Sequence, residues 1–135
     1  MANALYDTGR AAFLNAQIDW TDDNIKCVLV DTDDYSVNLS THDFLADIPA
    51  GARVATSGNL AGKTSTAGVA DANDVTFSGV SGDECEAIVI YKDSGDAATS
   101  QLIAYIDTAT GLPVTPTGGD ITIAWDGGAN KIFKL

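Results

Sequence analysis

The 135-residue chain has one histidine, two cysteines, two glutamates and seven basic residues, and each scarcity removes a class of function. With His42 as the only imidazole, there is one candidate general base of that type and no second to share a relay. Cys27 and Cys85 stand far apart, each inside an apolar run (KCVLV and ECEAIVI) where a thiol behaves as a small buried hydrophobe. The sequence leaves their pairing open. The cations Arg10, Lys26, Arg53, Lys63, Lys92, Lys131 and Lys134 are scattered. Binding to a phosphate backbone needs them clustered, so neither nucleic acid nor an anionic membrane is an expected partner. No stretch approaches the ~18 apolar residues of a membrane span, and MANALYDTGR has no apolar signal core, so the expected place of synthesis is a cytoplasm.

What the chain has in abundance is aspartate. Seventeen of its nineteen acids are Asp, and the formal net charge is −12. Aspartate favours turns and caps over helix interiors, which makes this a loop-and-strand composition. Hydrophobic residues make up 45% and charged residues 19%, values of a folded chain. At this length, against ~150 residues per domain, a single β-rich domain over residues 1–135 is expected.

Along the chain, Asn3 is a candidate cap for a helix over about Ala4–Ala16, with Asp7 in its first turn and Leu5, Ala12, Phe13 and Ala16 near one face. IKCVLVD reads as a strand too apolar to expose either face. In STHDFLADIP, Ser40 or Thr41 caps one or two helical turns carrying Phe44, Leu45 and Ile48, and Pro49 ends them. From Gly51 to Gly82 the pieces RVAT, LAGKTST and VADANDVTFSGV read as short strands joined by turns. ECEAIVIYKD and SQLIAYIDT are two strong strands joined through DSGDAAT as a hairpin, and DITIAWD and KIFKL form a last pair joined by GGAN. In ITIAW, Ile121, Ile123 and Trp125 share one face and Thr122 and Ala124 the other. IVIY and LIAYI are apolar on both faces, which requires cover from a second sheet, the terminal helix or a neighbouring subunit. About seven short strands predict a mainly β, β-sandwich-like domain with an N-terminal helix and a short second helical segment.

The residues that carry chemistry do not assemble into a site in the sequence. GNLAGKTST ends like a phosphate loop at Gly62, Lys63 and Thr64, but it is one residue short and leads into no helix. Asp31, Asp33 and Asp34 resemble the start of a calcium loop, yet Ser36 and His42 occupy the positions where glycine and glutamate are needed, so no metal is predicted. Ser40, His42 and Asp43 are hydrolase residue types crowded into one turn, where a triad needs partners from separate elements. Cys85 lies between Glu84 and Glu86, whose charges suppress a thiolate. NLS at Asn38 to Ser40 fits a glycosylation acceptor without any sign of secretion. The expectation is a non-enzymatic protein with no cofactor. Trp20 and Tyr35, both in polar stretches, are the candidate interface residues.

ALYDTGRAAFLNAQIDWTDDNIKCVLVD at the front, DIPAGARVAT and IYKD in the middle, and LIAYIDTATGLPVTPTGGDITIAWDGGANKIFKL at the end resemble small virion structural proteins of tailed bacteriophages. The resemblance spans nearly the whole chain, and its motifs are architectural. Within that group, the size and acidic surface are similar to capsid decoration (cement) proteins, which clamp the major capsid protein lattice from outside. The resemblance implies a head-stabilising subunit on the capsid exterior, made in the host cytoplasm, with the major capsid protein as partner. The apolar surplus of IVIY and LIAYI predicts self-association, and local threefold positions of a capsid lattice suggest a homotrimer. The alternatives are a tail, baseplate or fibre-attachment subunit, or a carbohydrate- or receptor-binding module.

Overall fold

In the computed structural model, which describes residues 3–135, the apolar runs become strands of three antiparallel sheets. In chain order the strands are β1 (Ala4–Leu5), β2 (Ile25–Val30), β3 (Arg53–Thr56), β4 (Val69–Ala70), β5 (Val75–Phe77), β6 (Ala87–Lys92), β7 (Gln101–Ile106), β8 (Ile121–Ile123) and β9 (Phe133–Lys134). One helix, α1 (Asp7–Leu14), and short 3-10 turns at Leu45–Asp47, Ala50–Ala52 and Thr66–Gly68 complete the described elements. The fold is mainly β.

The large sheet has the order β1-β7-β6-β2-β3, and the ribbons β4-β9 and β5-β8 are separate. β2 and β6 pair over six residues, from Ile25↔Lys92 to Val30↔Ala87, at the centre of the sheet. Strand alternation sends Ile25, Cys27, Leu29, Ile88 and Ile90 to one face and Val28, Val30, Ala87, Val89 and Tyr91 to the other. β7 departs from strict alternation for a visible reason. Ile90 pairs with Ala104 and Tyr91 with Leu102, so Ile103 is an extra residue in a bulge. Ile103 and Ala104 therefore both face the first cluster, while Leu102 and Tyr105 face the second.

Both faces are covered by this chain itself. The first packs under the two ribbons through Ala70, Val75, Phe77, Ile121, Ile123 and Ile132, giving a two-layered, sandwich-like body. The second is covered by irregular chain between β2 and β3, which lays Tyr35, Leu45, Ile48 and Ala52 onto the sheet, with Tyr6 beside them. Each fully buried aliphatic side chain here contributes roughly 1.5–3 kcal/mol of transfer free energy. The apolar surplus that predicted self-association is thus absorbed within the chain: IVIY and LIAYI are buried throughout.

Three local expectations are corrected. The helix runs over Asp7–Leu14 and not Ala4–Ala16, because Ala4 and Leu5 pair with Tyr105 and Ala104 and the Tyr6 N–H continues that ladder to the Ile103 carbonyl. Asn3 does not cap it. Its Oδ1 accepts the Asp107 N–H at 3.0 Å instead, and Ala16 lies beyond the helix with φ 58. Gly9 sets the helix against β7: a Cβ there would lie 2.7 Å from the Leu102 carbonyl oxygen. The second helical segment shrinks to the Leu45–Asp47 turn, capped by neither Ser40 nor Thr41. Asp47 Oδ2 reaches back to accept the N–H groups of Asp43 (2.7 Å) and Phe44 (3.0 Å). DITIAWD and KIFKL do not pair. β8 pairs with β5, where Trp125 anchors its end by donating its Nε1–H to the Asn73 carbonyl and its N–H to Asp74 Oδ1, and β9 pairs with β4, where the Ile132 and Leu135 N–H groups donate to the Ala70 and Gly68 carbonyls.

Candidate functional site

The turn that holds the hydrolase residue types closes on itself. Asn38 Oδ1 accepts the N–H groups of Ser40 and Thr41, both at 3.1 Å. His42 Nδ1 lies 3.2 Å from the Asn38 nitrogen and 2.9 Å from the Tyr35 hydroxyl, which is itself 2.8 Å from the Tyr6 hydroxyl. An amide N–H only donates, so these partners assign Nδ1 as an acceptor and place the imidazole proton on Nε2. Tyr35 then donates to His42 and Tyr6 donates to Tyr35. The chain runs from a fully buried hydroxyl to a partly exposed imidazole. Burial drives the Tyr6 phenol far above its ordinary range and pushes Tyr35 up to about 12. Neither hydroxyl is activated, and the His42 nitrogen that meets them is engaged in positioning.

The acidic residues converge differently from their sequence order. Carboxylate oxygens of Asp31, Asp34 and Asp83 lie within 4.8 Å of one another. Asp83, from the loop before β6, takes the place expected for Asp33. Asp31 is buried and its Oδ1 accepts the Asp33 N–H at 2.9 Å, while Asp34 and Asp83 are exposed. Glu86 Oε1 accepts both the N–H and the hydroxyl of Thr32, at 2.9 and 3.0 Å, tying the same loop to β6. These bonds close turns, and no metal is assigned to them.

Both thiols are free and buried. Burial pushes the Cys85 thiol up to about 12, and the neighbouring carboxylates of Glu86, Asp31, Asp83 and Glu84 add to the effect. Burial also raises Cys27 well above the ordinary thiol range, against a lowering contribution from Ser57. In the phosphate-loop-like segment the Lys63 ammonium donates to the Asp23 carbonyl, and Asn73 closes over Gly62. The next element along the chain is only the three-residue turn Thr66–Gly68.

Trp20 and Tyr35, expected at an interface, are core residues, 5% and 3% exposed. Trp20 donates its Nε1–H to the Asp71 carbonyl at 3.2 Å and meets Phe133 edge-on at 5.3 Å between ring centroids. Tyr35 sits under His42 in the hydroxyl chain. Each ring buries its body and satisfies its polar tip from the surrounding loop, which is why a polar neighbourhood in sequence did not place it on the surface.

One surface feature was not visible in the sequence. A groove of about 350 Å³ separates β1, the edge strand of the large sheet, from β9. It opens onto an apolar end of about 420 Å³ at Phe13, Leu14 and Leu135. Leu14 is 88% and Leu135 59% exposed. Arg10, Lys131 and Lys134 line this groove, and Asp126 is the acidic side chain among its described lining. The fold therefore gathers cations from positions 10, 131 and 134 that the sequence scatters. Their spacing along the chain carries no sign of this; only the exposed Arg10 and Leu14, four apart on one helix face, offered a signal.

No protein-family model matches this chain, and no curated protein matches it.

Proposed function

We propose that this chain is a non-enzymatic structural subunit of a tailed-phage virion, a decoration protein that binds the outside of the major capsid protein lattice and stabilises the head. The observation that carries the reading is how the polar side chains are used. His42, Asn38, Asp47, Glu86 and Asp31 each hold a turn closed over the sheet. The result is a β body with apolar packing on both faces of its main sheet. A protein that binds only the assembled lattice raises its stability by mass action, needing a rigid body and a seat and no reactive group. The resemblance of the front, middle and end segments to phage virion proteins supports the same reading. The net charge of −12 keeps decorated particles apart in solution.

Three copies around a local threefold position of the lattice remain the proposed arrangement, on the geometry of closed rings. The test is to locate the chain in reconstructed particles and count it. Hundreds of copies on the outside of the head are expected. Density confined to the tail or baseplate overturns the decoration reading.

A further inference from the structure

We propose that the groove between β1 and β9 is a docking site for an extended segment of a partner protein in which apolar side chains alternate with carboxylates. The inference is independent of the virion reading, since it rests on this surface alone.

Two observations define the backbone part. Among the described residues β1 has β7 on one side only and β9 has β4 on one side only, so there each presents an unpaired strand edge. Residues of both strands line the same groove. An unpaired edge is a template for an added strand, which gains main-chain hydrogen bonds along its length and specificity from alternate side chains.

Two more define the chemistry. The groove runs out onto Leu14 and Leu135, whose side chains are largely exposed beside Phe13, and these suit the apolar positions of an incoming strand. The cations suit its carboxylates. Elsewhere, Lys26 pairs with Asp93 at 2.9 Å, Lys92 pairs with Asp23 at 3.2 Å, and Lys63 donates to the Asp23 carbonyl. Arg10, Lys131 and Lys134, like Arg53 away from the groove, make no ion pair among the described residues, and only these three are gathered at one place. Lys131 is held with φ 47, a left-handed conformation that disfavours a lysine, at the groove wall. Three cations outside any ion pair among the described residues, around one groove with an apolar end, select an acidic occupant. A second copy fits poorly. A symmetric pairing of grooves sets Arg10, Lys131 and Lys134 against their own images.

The test is selection of short random peptides displayed on yeast against the immobilised full-length protein, followed by titration of the enriched peptides. The same peptides are titrated into Leu14→Asp and into Arg10→Glu/Lys134→Glu, all surface changes whose folding is checked by circular dichroism. Enriched sequences are expected to alternate apolar residues with Asp or Glu, and to lose about tenfold or more in affinity for either variant. Their binding to wild type is expected to weaken as salt rises from about 0.05 to 0.5 M. Failure of any sequence to enrich overturns the proposal, as do enriched peptides without acidic residues or equal binding to the variants. Sedimentation equilibrium supplies the remaining arm. Self-association of the wild type that Leu14→Asp abolishes makes a second copy the occupant and overturns the partner segment.

Discussion

Removing one hydroxyl from the buried tyrosine pair tests how this fold satisfies its interior, because the two positions look alike and should respond differently. Tyr6 is fully buried, and its hydroxyl has Tyr35 as its hydrogen-bond partner at 2.8 Å. Tyr35 has a second partner, His42 Nδ1 at 2.9 Å. Tyr6→Phe deletes the buried donor at the end of the chain and leaves Tyr35 donating to His42, which costs about 1 kcal/mol, the net worth of one hydrogen bond. Tyr35→Phe strands the Tyr6 hydroxyl in an apolar cluster, and an orphaned buried polar group costs about 1–3 kcal/mol by itself. For 135 residues, roughly 2.1 cal/mol/K of unfolding entropy per residue makes 1 kcal/mol worth about 3.5 °C. Tyr6→Phe should therefore lower Tm by about 3–4 °C and Tyr35→Phe by about 7 °C or more. The double variant should lie close to Tyr35→Phe alone or above it, since removing the second hydroxyl relieves the orphan. The measurement is urea unfolding at 25 °C with thermal scans on the four proteins. Equal losses at the two positions, or a double loss equal to the sum, would refute the assigned direction of the chain.

Gly9→Ala should destabilise by about 1–2 kcal/mol although alanine gains about 1 kcal/mol in a helix, because the new Cβ lands 2.7 Å from the Leu102 carbonyl and 3.0 Å from Ile103 Cα. The urea midpoint should fall with the slope unchanged, and a rise would show that α1 can move off β7. Asp47 has its pKa lowered below the ordinary 3.8, first by the Phe44 N–H, then by that of Asp43, with His42 adding to it. A carboxyl depressed on folding stabilises above its unfolded value and loses that contribution as pH falls through the folded one. The advantage of wild type over Asp47→Asn, under about 1 kcal/mol for so exposed a group, should thus be full at about pH 6 and shrink below about pH 4. A gap that does not change with pH contradicts the assignment.

The parts of the fold that were legible in sequence share one property: their signal is local. IKCVLV, AIVIYK and QLIAYI are apolar on both faces, the pattern of strands covered on both sides, and each is an interior strand of the large sheet. ITIAW alternates, and Ile121, Ile123 and Trp125 are buried with Thr122 exposed. The parts that misled depend on contacts far along the chain. Ala4 and Leu5 have helical neighbours, yet Tyr105 and Ala104 claim them as a strand. β8 and β9 are three and two residues long, too short to fix their own register; the Trp125 bonds to residues 73 and 74 hold β8, and the Ile132 and Leu135 bonds to the Ala70 and Gly68 carbonyls hold β9.

The same distinction separates the candidate site from the fold. Hydrophobic cover for the second face of the sheet comes from DTDDYSVNLS and STHDFLADIP, where Tyr35, Leu45 and Ile48 are isolated among polar residues that satisfy each other in turns. In sequence the first segment reads as a polar connection and the second as a short helical stretch, and neither pattern shows that its apolar residues lie on the sheet. Once both are laid on the sheet, the apolar excess that pointed to an interface through the strands disappears. The most exposed large apolar side chains among the described residues are instead Leu14 and Leu135, beside the cations that the edge strands β1 and β9 bring together. The proposed docking contact thereby lies at the strand edges and not on the strand faces. There an incoming chain can be held by backbone hydrogen bonds and selected by charge, and the sheet's own core need not open to admit it.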